Sequence, residues 1–162
     1  MPRIELHTTI QAPIERVFDL ARDLDLHART MANSRERAVA GRTSGLIGPN
    51  EEVTWRAYHF GIEHEHHSRI TQYERPFHFQ DTMVRGRFKT FVHNHYFERI
   101  NAATVMHDAI EFSSPLGIIG KIVDFLIMTR YLGSLIKHRN DIIKEAAEHG
   151  DAGQPQAWPA QR

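Results

Sequence analysis

The chain contains no cysteine. Disulfides, zinc–thiolate sites, iron–sulfur clusters and thiol nucleophiles are thereby excluded, and the absence fits a reducing compartment. Net charge is also missing. The 20 Lys and Arg balance the 20 Asp and Glu, so no overall field draws the protein onto nucleic acid or an anionic membrane, and no nucleic-acid partner is expected. The opening residues Met1 to His7 lack the apolar stretch that export requires, which places the chain in the cytoplasm as an expectation. Gly41, Gly45 and Gly48 lack the Gly-Lys-Ser/Thr ending of a phosphate loop, and Ser113-Ser114 lack the glycines of a nucleophile elbow.

What the sequence has in excess is histidine, 12 in all, crowded between His59 and His107. A length of 162 residues is that of one domain with one core. Residues 1–149 are read as that domain and 150–162 as a flexible tail, since the end has too few apolar residues to pack. Ile4, Leu6, Thr8 and Ile10 alternate within 3–11, the period of a half-buried strand. Pro13 suits the first turn of a helix, and Val17, Phe18, Leu20, Ala21 and Leu24 follow at helical spacing, with a second short helix over 25–32. Six strands are then predicted, at 35–43, 51–60, 62–73, 78–86, 88–100 and 103–113, with short connections that imply antiparallel neighbours.

After Pro115 the period changes. Ile118, Ile119, Ile122, Phe125, Leu126, Tyr131, Leu132, Leu135, Ile136, Ile142 and Ile143 trace a broad helical stripe, with Lys121, Asp124, Lys137 and Asp141 on a polar side. Lys121, Asp124 and Arg130 interrupt the run too often for a membrane span, so no integral membrane segment is expected. The order strand, helices, six strands, long helix predicts an α+β domain, a curved antiparallel sheet of about seven strands wrapped around the last helix.

This order, with Ala12-Pro13 through Val17-Phe18 after the first strand, resembles the SRPBCC superfamily of START-like and pollen-allergen-like helix-grip domains, which also includes polyketide cyclases and coenzyme Q-binding proteins. The resemblance spans residues 3 to about 147. Within it, Val53 to Gly61, Ser68-Arg69-Ile70, Pro76 to Asp81, Arg85-Gly86, His93 and His95 before Phe97, Asp108, and Pro115 to Gly120 look most like an uncharacterised bacterial cyclase/dehydrase-like subgroup. The resemblance implies a helix-grip fold with an internal cavity, whose members transport, sense or transform a ligand.

Strand parity sorts side chains between cavity and solvent. The inward sets read Val53, Trp55, Ala57 and His59; Ile62, His64, His66, Ser68 and Ile70; Phe79, Asp81, Met83 and Arg85; Phe91, His93, His95 and Phe97; and Met106, Asp108, Ile110 and Phe112. The predicted cavity lining is therefore Trp55, Phe79, Met83, Phe91, Phe97, Met106 and Phe112, with His59, Asp81, Arg85, His93, His95 and Asp108 as its polar groups. Trp55, His59, Asp81, His93, His95 and Asp108 are expected to form one cluster. Buried polar groups must pair with one another, with water or with a ligand, and at least one of these imidazoles should titrate away from its ordinary value.

The function expected is binding of a small hydrophobic molecule, such as a lipid, a quinone or a polyketide-like ring, as carrier or sensor. The alternative is a cyclase/dehydrase-type enzyme in which His59 or His93 works with Asp81 or Asp108 as acid–base pair; a weaker one is an interaction module using the sheet edge. His93-x-His95 can chelate a metal only when a third ligand completes the set, and spacing fixes no third ligand. His64-Glu65-His66-His67 splits across two strand faces and is read as partly exposed polar residues. No metal and no cofactor are assigned from the sequence, and it sets no oligomeric state.

Overall fold

The computed structural model describes residues 2–115, 117 and 124–150. Strand β1 (Arg3–Ile10) leads into helices α1 (Ile14–Ala21) and α2 (Leu24–Thr30). Pro13 stands just before α1, at the cap, with φ −61° already set for entry. Asp23 caps α2 by accepting from the amides of Asp25 and Leu26. After a 3-10 turn (Ala32–Ser34) come β2 (Arg37–Gly41), β3 (Glu52–His59), β4 (Ile62–Glu74), β5 (His78–Arg85), β6 (Thr90–Ile100) and β7 (Ala103–Ser113). The last helix has a π turn over Asp124–Met128 and continues as α3 (Thr129–His149). The expected stripe positions Ile118, Ile119 and Ile122, and the tail from Asp151, lie outside the described residues. No helix among the described residues is long and apolar enough to cross a membrane.

The seven strands form one antiparallel sheet in the order β1-β7-β6-β5-β4-β3-β2. Every connection from β2 to β7 joins sheet neighbours, and those from β3 onward are turns of two to four residues. The tightest is Phe60-Gly61 between β3 and β4, where His59 pairs with Ile62 and both turn residues have positive φ, 52° and 74°. That is the sense of turn whose twist matches the strands. Ile62, expected inward, is 54% exposed because it emerges directly from this turn.

Two apolar clusters hold the helices to the sheet. The larger centres on fully buried Phe18 of α1, whose ring meets Tyr73, Phe79 and Phe97 edge-on, and it takes Ile143 and Ala147 from α3. The smaller consists of Ile4, Ile110, Phe112 and Ile136. On β7 Met106 belongs to the first cluster and Ile110 to the second, and between them stands Asp108. On α3 Ile136 and Ile143 are divided in the same way, and between them stands Asn140. A buried polar belt thus separates the two halves of the core.

Candidate functional site

Strand β6 supplies the centre of that belt. His93 and His95 share its inner face, and the ladder sets Asp81 of β5 beside His93 and Asp108 of β7 beside His95. His93 Nε2 donates to Asp108 Oδ1 at 2.8 Å, and His95 Nε2 donates to Asp81 Oδ2 at 3.0 Å. The remaining ring nitrogens also face carboxylates. His93 Nδ1 is 3.8 Å from Asp81 Oδ2, beyond hydrogen-bond length, and His95 Nδ1 is 2.9 Å from Asp108 Oδ1. That last contact is off the N–H axis, so His95 Nδ1 is buried without a hydrogen-bond partner. The two imidazoles lie 3.7 Å apart between ring centroids, and Phe79 stacks on His95 at 4.1 Å.

Helix α3 closes the belt from the opposite side. Asn140 Nδ2 donates to Asp108 Oδ2 at 2.6 Å, and Arg139 Nη1 lies 3.6 Å from Asp108 Oδ1. Arg139 also donates to Asn140 Oδ1 and, at 2.7 Å, to the carbonyl of Ala21 at the end of α1. Each of these groups is almost wholly buried. Burial alone would raise Asp81, but the hydrogen bond from His95 and the charges of His93, His95 and His66 outweigh it and hold the carboxyl at about 2. Asp108 is likewise held well below the usual carboxylate range, its burial outweighed by His93 and His95. Burial, then the neighbouring His95, pushes His93 down to about 4 against the pull of Asp108. Both carboxylates are therefore ionised and His93 is neutral near pH 7.

Between the sheet and α3 is a cavity of about 390 Å³. Its apolar wall includes Trp55, Ile70, Phe79, Phe91, Leu132 and Ile136, and its polar groups include Asp81, His93, His95, His66, His59 and Glu36. Exposed Phe60, Glu65 and Arg87 also border it, marking where it meets solvent. Near Phe60, His59 Nδ1 hydrogen-bonds the Tyr131 hydroxyl at 2.6 Å. His27 Nε2 donates to Glu36 at 2.9 Å, with its ring 4.4 Å from that of Trp55. Burial lowers His59 and His66. It would raise Glu36, but the His27 hydrogen bond keeps that carboxyl low.

The structure places Trp55, His59, Phe79, Asp81, Phe91, His93 and His95 on the cavity wall. Asp108 stands behind the two imidazoles. Phe97 and Met106 lie in the larger apolar cluster and Phe112 in the smaller one, packed within the core away from the wall. Met83 is half-buried outside the wall, and Arg85 is corrected to the surface, its side chain 72% exposed and 3.6 Å from Glu65. The reason is local: β5–β6 pairing ends at Thr82, and a register shift in β4 between His67 and Ser68 breaks the alternation beyond it. Nor do the six expected cluster residues form one group. Asp81, His93, His95 and Asp108 meet on three adjacent strands, whereas β4 separates them from β3, where His59 bonds Tyr131 and Trp55 packs on His27. Of the histidine tract, His64 and His66 line the cavity while His67 bonds Glu52 on the other face.

Sequence reasoning missed His27, Glu36, Tyr131, Arg139 and Asn140. One signal was available for Asn140, since Ile136, Asn140 and Ile143 fall on one helical face and an amide there has to meet a buried partner.

No family model and no curated protein matches this chain by sequence. Solved structures match about nine-tenths of it. TTHA0849 of Thermus thermophilus is 20% identical at TM-score 0.71 over 91% of this chain and 100% of its own. Major latex-like protein 151 of Panax ginseng is 14% identical at TM-score 0.67, covering 90% and 97%. A START superfamily protein of Mycobacterium smegmatis is 9% identical at TM-score 0.68, covering 90% and 96%. The chain therefore has the helix-grip fold, with its sheet and long C-terminal helix enclosing a cavity.

Proposed function

We propose that the protein binds a small, largely apolar molecule in the cavity between sheet and α3, as a carrier or sensor. The observation that carries this reading is the cavity itself: about 390 Å³, walled mainly by aromatic and aliphatic side chains, with the Asp81, His93 and His95 group at one part of its wall and His59 with Tyr131 at another. That volume suits a ring system or short chain, and convergent polar groups in an apolar wall fix a ligand's orientation. One solved structure of the same architecture is a START superfamily protein, which is compatible with this reading.

A second reading, a cyclase/dehydrase-type enzyme, draws on the His93–Asp108 hydrogen bond of 2.8 Å beside the same cavity. The depressed basicity of His93 weighs against it. An imidazole at about 4 is a weak proton acceptor near neutrality, where acid–base catalysis works best with a matched group.

Thermal-shift and native mass-spectrometric screening with quinones, fatty acids and polycyclic aromatics tests the binding reading. A ligand at a hundred times its Kd stabilises by ~2.7 kcal/mol, which raises the Tm of a chain this size by roughly 5–10 °C. Ala57, buried on the cavity wall, replaced by Phe should remove that shift by filling the space. Screening in which none of these classes raises Tm or forms a one-to-one complex overturns the proposal.

A further inference from the structure

We propose that Asp81, His93 and His95 form a binding site for one divalent first-row transition metal, with Asp108 as the outer carboxylate that orients both imidazoles. This inference stands on the side chains alone and does not rest on the carrier reading.

The three residues offer ligand atoms that all lie within 4.8 Å of one another. Asp81 Oδ2 is 3.0 Å from His95 Nε2 and 3.8 Å from His93 Nδ1. Ligands bound at ~2.0–2.2 Å in tetrahedral or octahedral arrangement are spaced roughly 3.0–3.5 Å apart, close to both of these separations, and the two histidine nitrogens lie within 4.8 Å of each other. Two imidazoles and one carboxylate are the donor set of zinc and iron(II) sites that keep open positions. All three residues line the cavity.

The placement of the ring nitrogens supplies a second argument. His95 stands with Nε2 at 3.0 Å from Asp81 and Nδ1 at 2.9 Å from Asp108. Nε2 makes the hydrogen bond to Asp81, while the Nδ1 contact is off the N–H axis. His95 Nδ1 is accordingly the buried nitrogen without a partner. A metal on Nε2 would replace the Asp81 hydrogen bond and leave Nδ1 as the N–H, which a small rotation of the ring would bring onto Asp108 Oδ1, 2.9 Å away. His93 fits the same scheme, with Nε2 already donating to Asp108 and Nδ1 facing Asp81 without a hydrogen bond. Each ring thus turns one nitrogen toward the proposed ion and the other toward one shared carboxylate. That is the outer-shell pattern that fixes tautomer and orientation in metal-bound histidines. Asp108 is in turn held by Asn140 and Arg139.

Charge points the same way. Asp81 and Asp108 bring two carboxylates to the belt and Arg139 one cation, so a divalent ion meets groups of opposite sign there. The open coordination positions face the cavity, so they take a small molecule bearing an oxygen donor.

The test uses untagged protein stripped with EDTA and dialysed, titrated with Zn2+ by calorimetry and with Co2+ by visible absorption. One ion per chain is expected, at a Kd below ~10 µM, with a d–d spectrum of low coordination number and a raised Tm. His93→Gln and Asp81→Asn should each weaken binding at least 100-fold, and Asp108→Asn by ~10–100-fold, the range of outer-shell losses. His67→Gln, on the opposite face, should leave binding unchanged, and circular dichroism should show every variant folded. No saturable binding to the unmodified protein overturns the proposal without touching the carrier reading. So does binding that survives in folded His93→Gln or Asp81→Asn.

Discussion

Asp108 is the residue on which the two core clusters turn. One oxygen faces the β6 imidazoles and the other accepts from Asn140 at 2.6 Å. Asn140→Leu keeps the volume while removing the donor, leaving a buried carboxylate oxygen unsatisfied. The expected loss is ~2–3 kcal/mol, because hydrogen bonds to charged groups are stronger than neutral ones and the desolvated oxygen keeps its penalty. Urea denaturation at pH 7 checks this, and Asp108→Asn in the same background should recover part of it. His93 predicts a pH dependence for metal-free protein. Its native-state value of about 4 lies below the ordinary 6.5, so below pH 6.5 the unfolded chain takes up a proton that the folded chain refuses. Stability should be complete above that range and decline as the pH falls from 6.5 toward 4, by on the order of 3 kcal/mol. The carboxylates are still ionised there, Asp81 holding its proton off to about 2. Denaturation series at pH 7, 5.5 and 4.5 measure the decline, and His93→Gln should reduce it, leaving the shares of His59 and His66, which burial also lowers.

At the scale of elements, strand parity was legible wherever strands run unbroken. β6 and β7 pair without interruption from Thr90↔Ser113 to Ile100↔Ala103, so His93, His95 and Asp108 could be assigned to one face from alternation alone. Where a ladder shifts, parity lost its meaning, as with Met83 and Arg85 past the irregularity in β4. Contacts between α3 and the sheet were not legible, because nothing local links Asn140 to a strand 32 residues earlier; the same holds for Tyr131 and His59. The β2–β3 pair shows how narrowly an edge is specified. Gly41 has φ 72°, and an added Cβ would come within 2.2 Å of the Glu52 carbonyl oxygen. Gly41→Ala therefore combines left-handed strain with a backbone clash, and β2 should separate from β3 there. A loss of ~2 kcal/mol or more, with amide-exchange protection reduced in 37–41 and 52–56 alone, would mark the effect as confined to this edge.

At the scale of the whole molecule, sheet and helix meet at the cavity's border through a contact held by an unfavourable backbone. Phe60 has φ 52°, a conformation that suits Asn or Gly and is strained for an aromatic residue, by ~1–2 kcal/mol. The residue is 65% exposed, so burial does not explain its place. What it touches is Tyr131 on α3, ring centroids 4.7 Å apart, and the Tyr131 hydroxyl is bonded to His59 one residue earlier. Phe60, His59 and Tyr131 all line the cavity, so this contact joins the β3–β4 turn to the helix where the cavity borders solvent. Strain kept at such a point favours function over stability. Phe60→Asn relieves the turn and deletes the ring contact, so its two effects should oppose each other: Tm unchanged or slightly raised, but faster ligand exchange. Stopped-flow displacement of the dye 1-anilinonaphthalene-8-sulfonate reads the second effect, and loss of ~1 kcal/mol at the barrier corresponds to a roughly fivefold faster release. Tyr131→Phe should speed release similarly while removing ~0.5–1.5 kcal/mol of stability with its hydrogen bond. A Phe60→Asn protein that loses stability and releases the dye at the original rate would show that the ring supports the turn and has no part in closing the cavity.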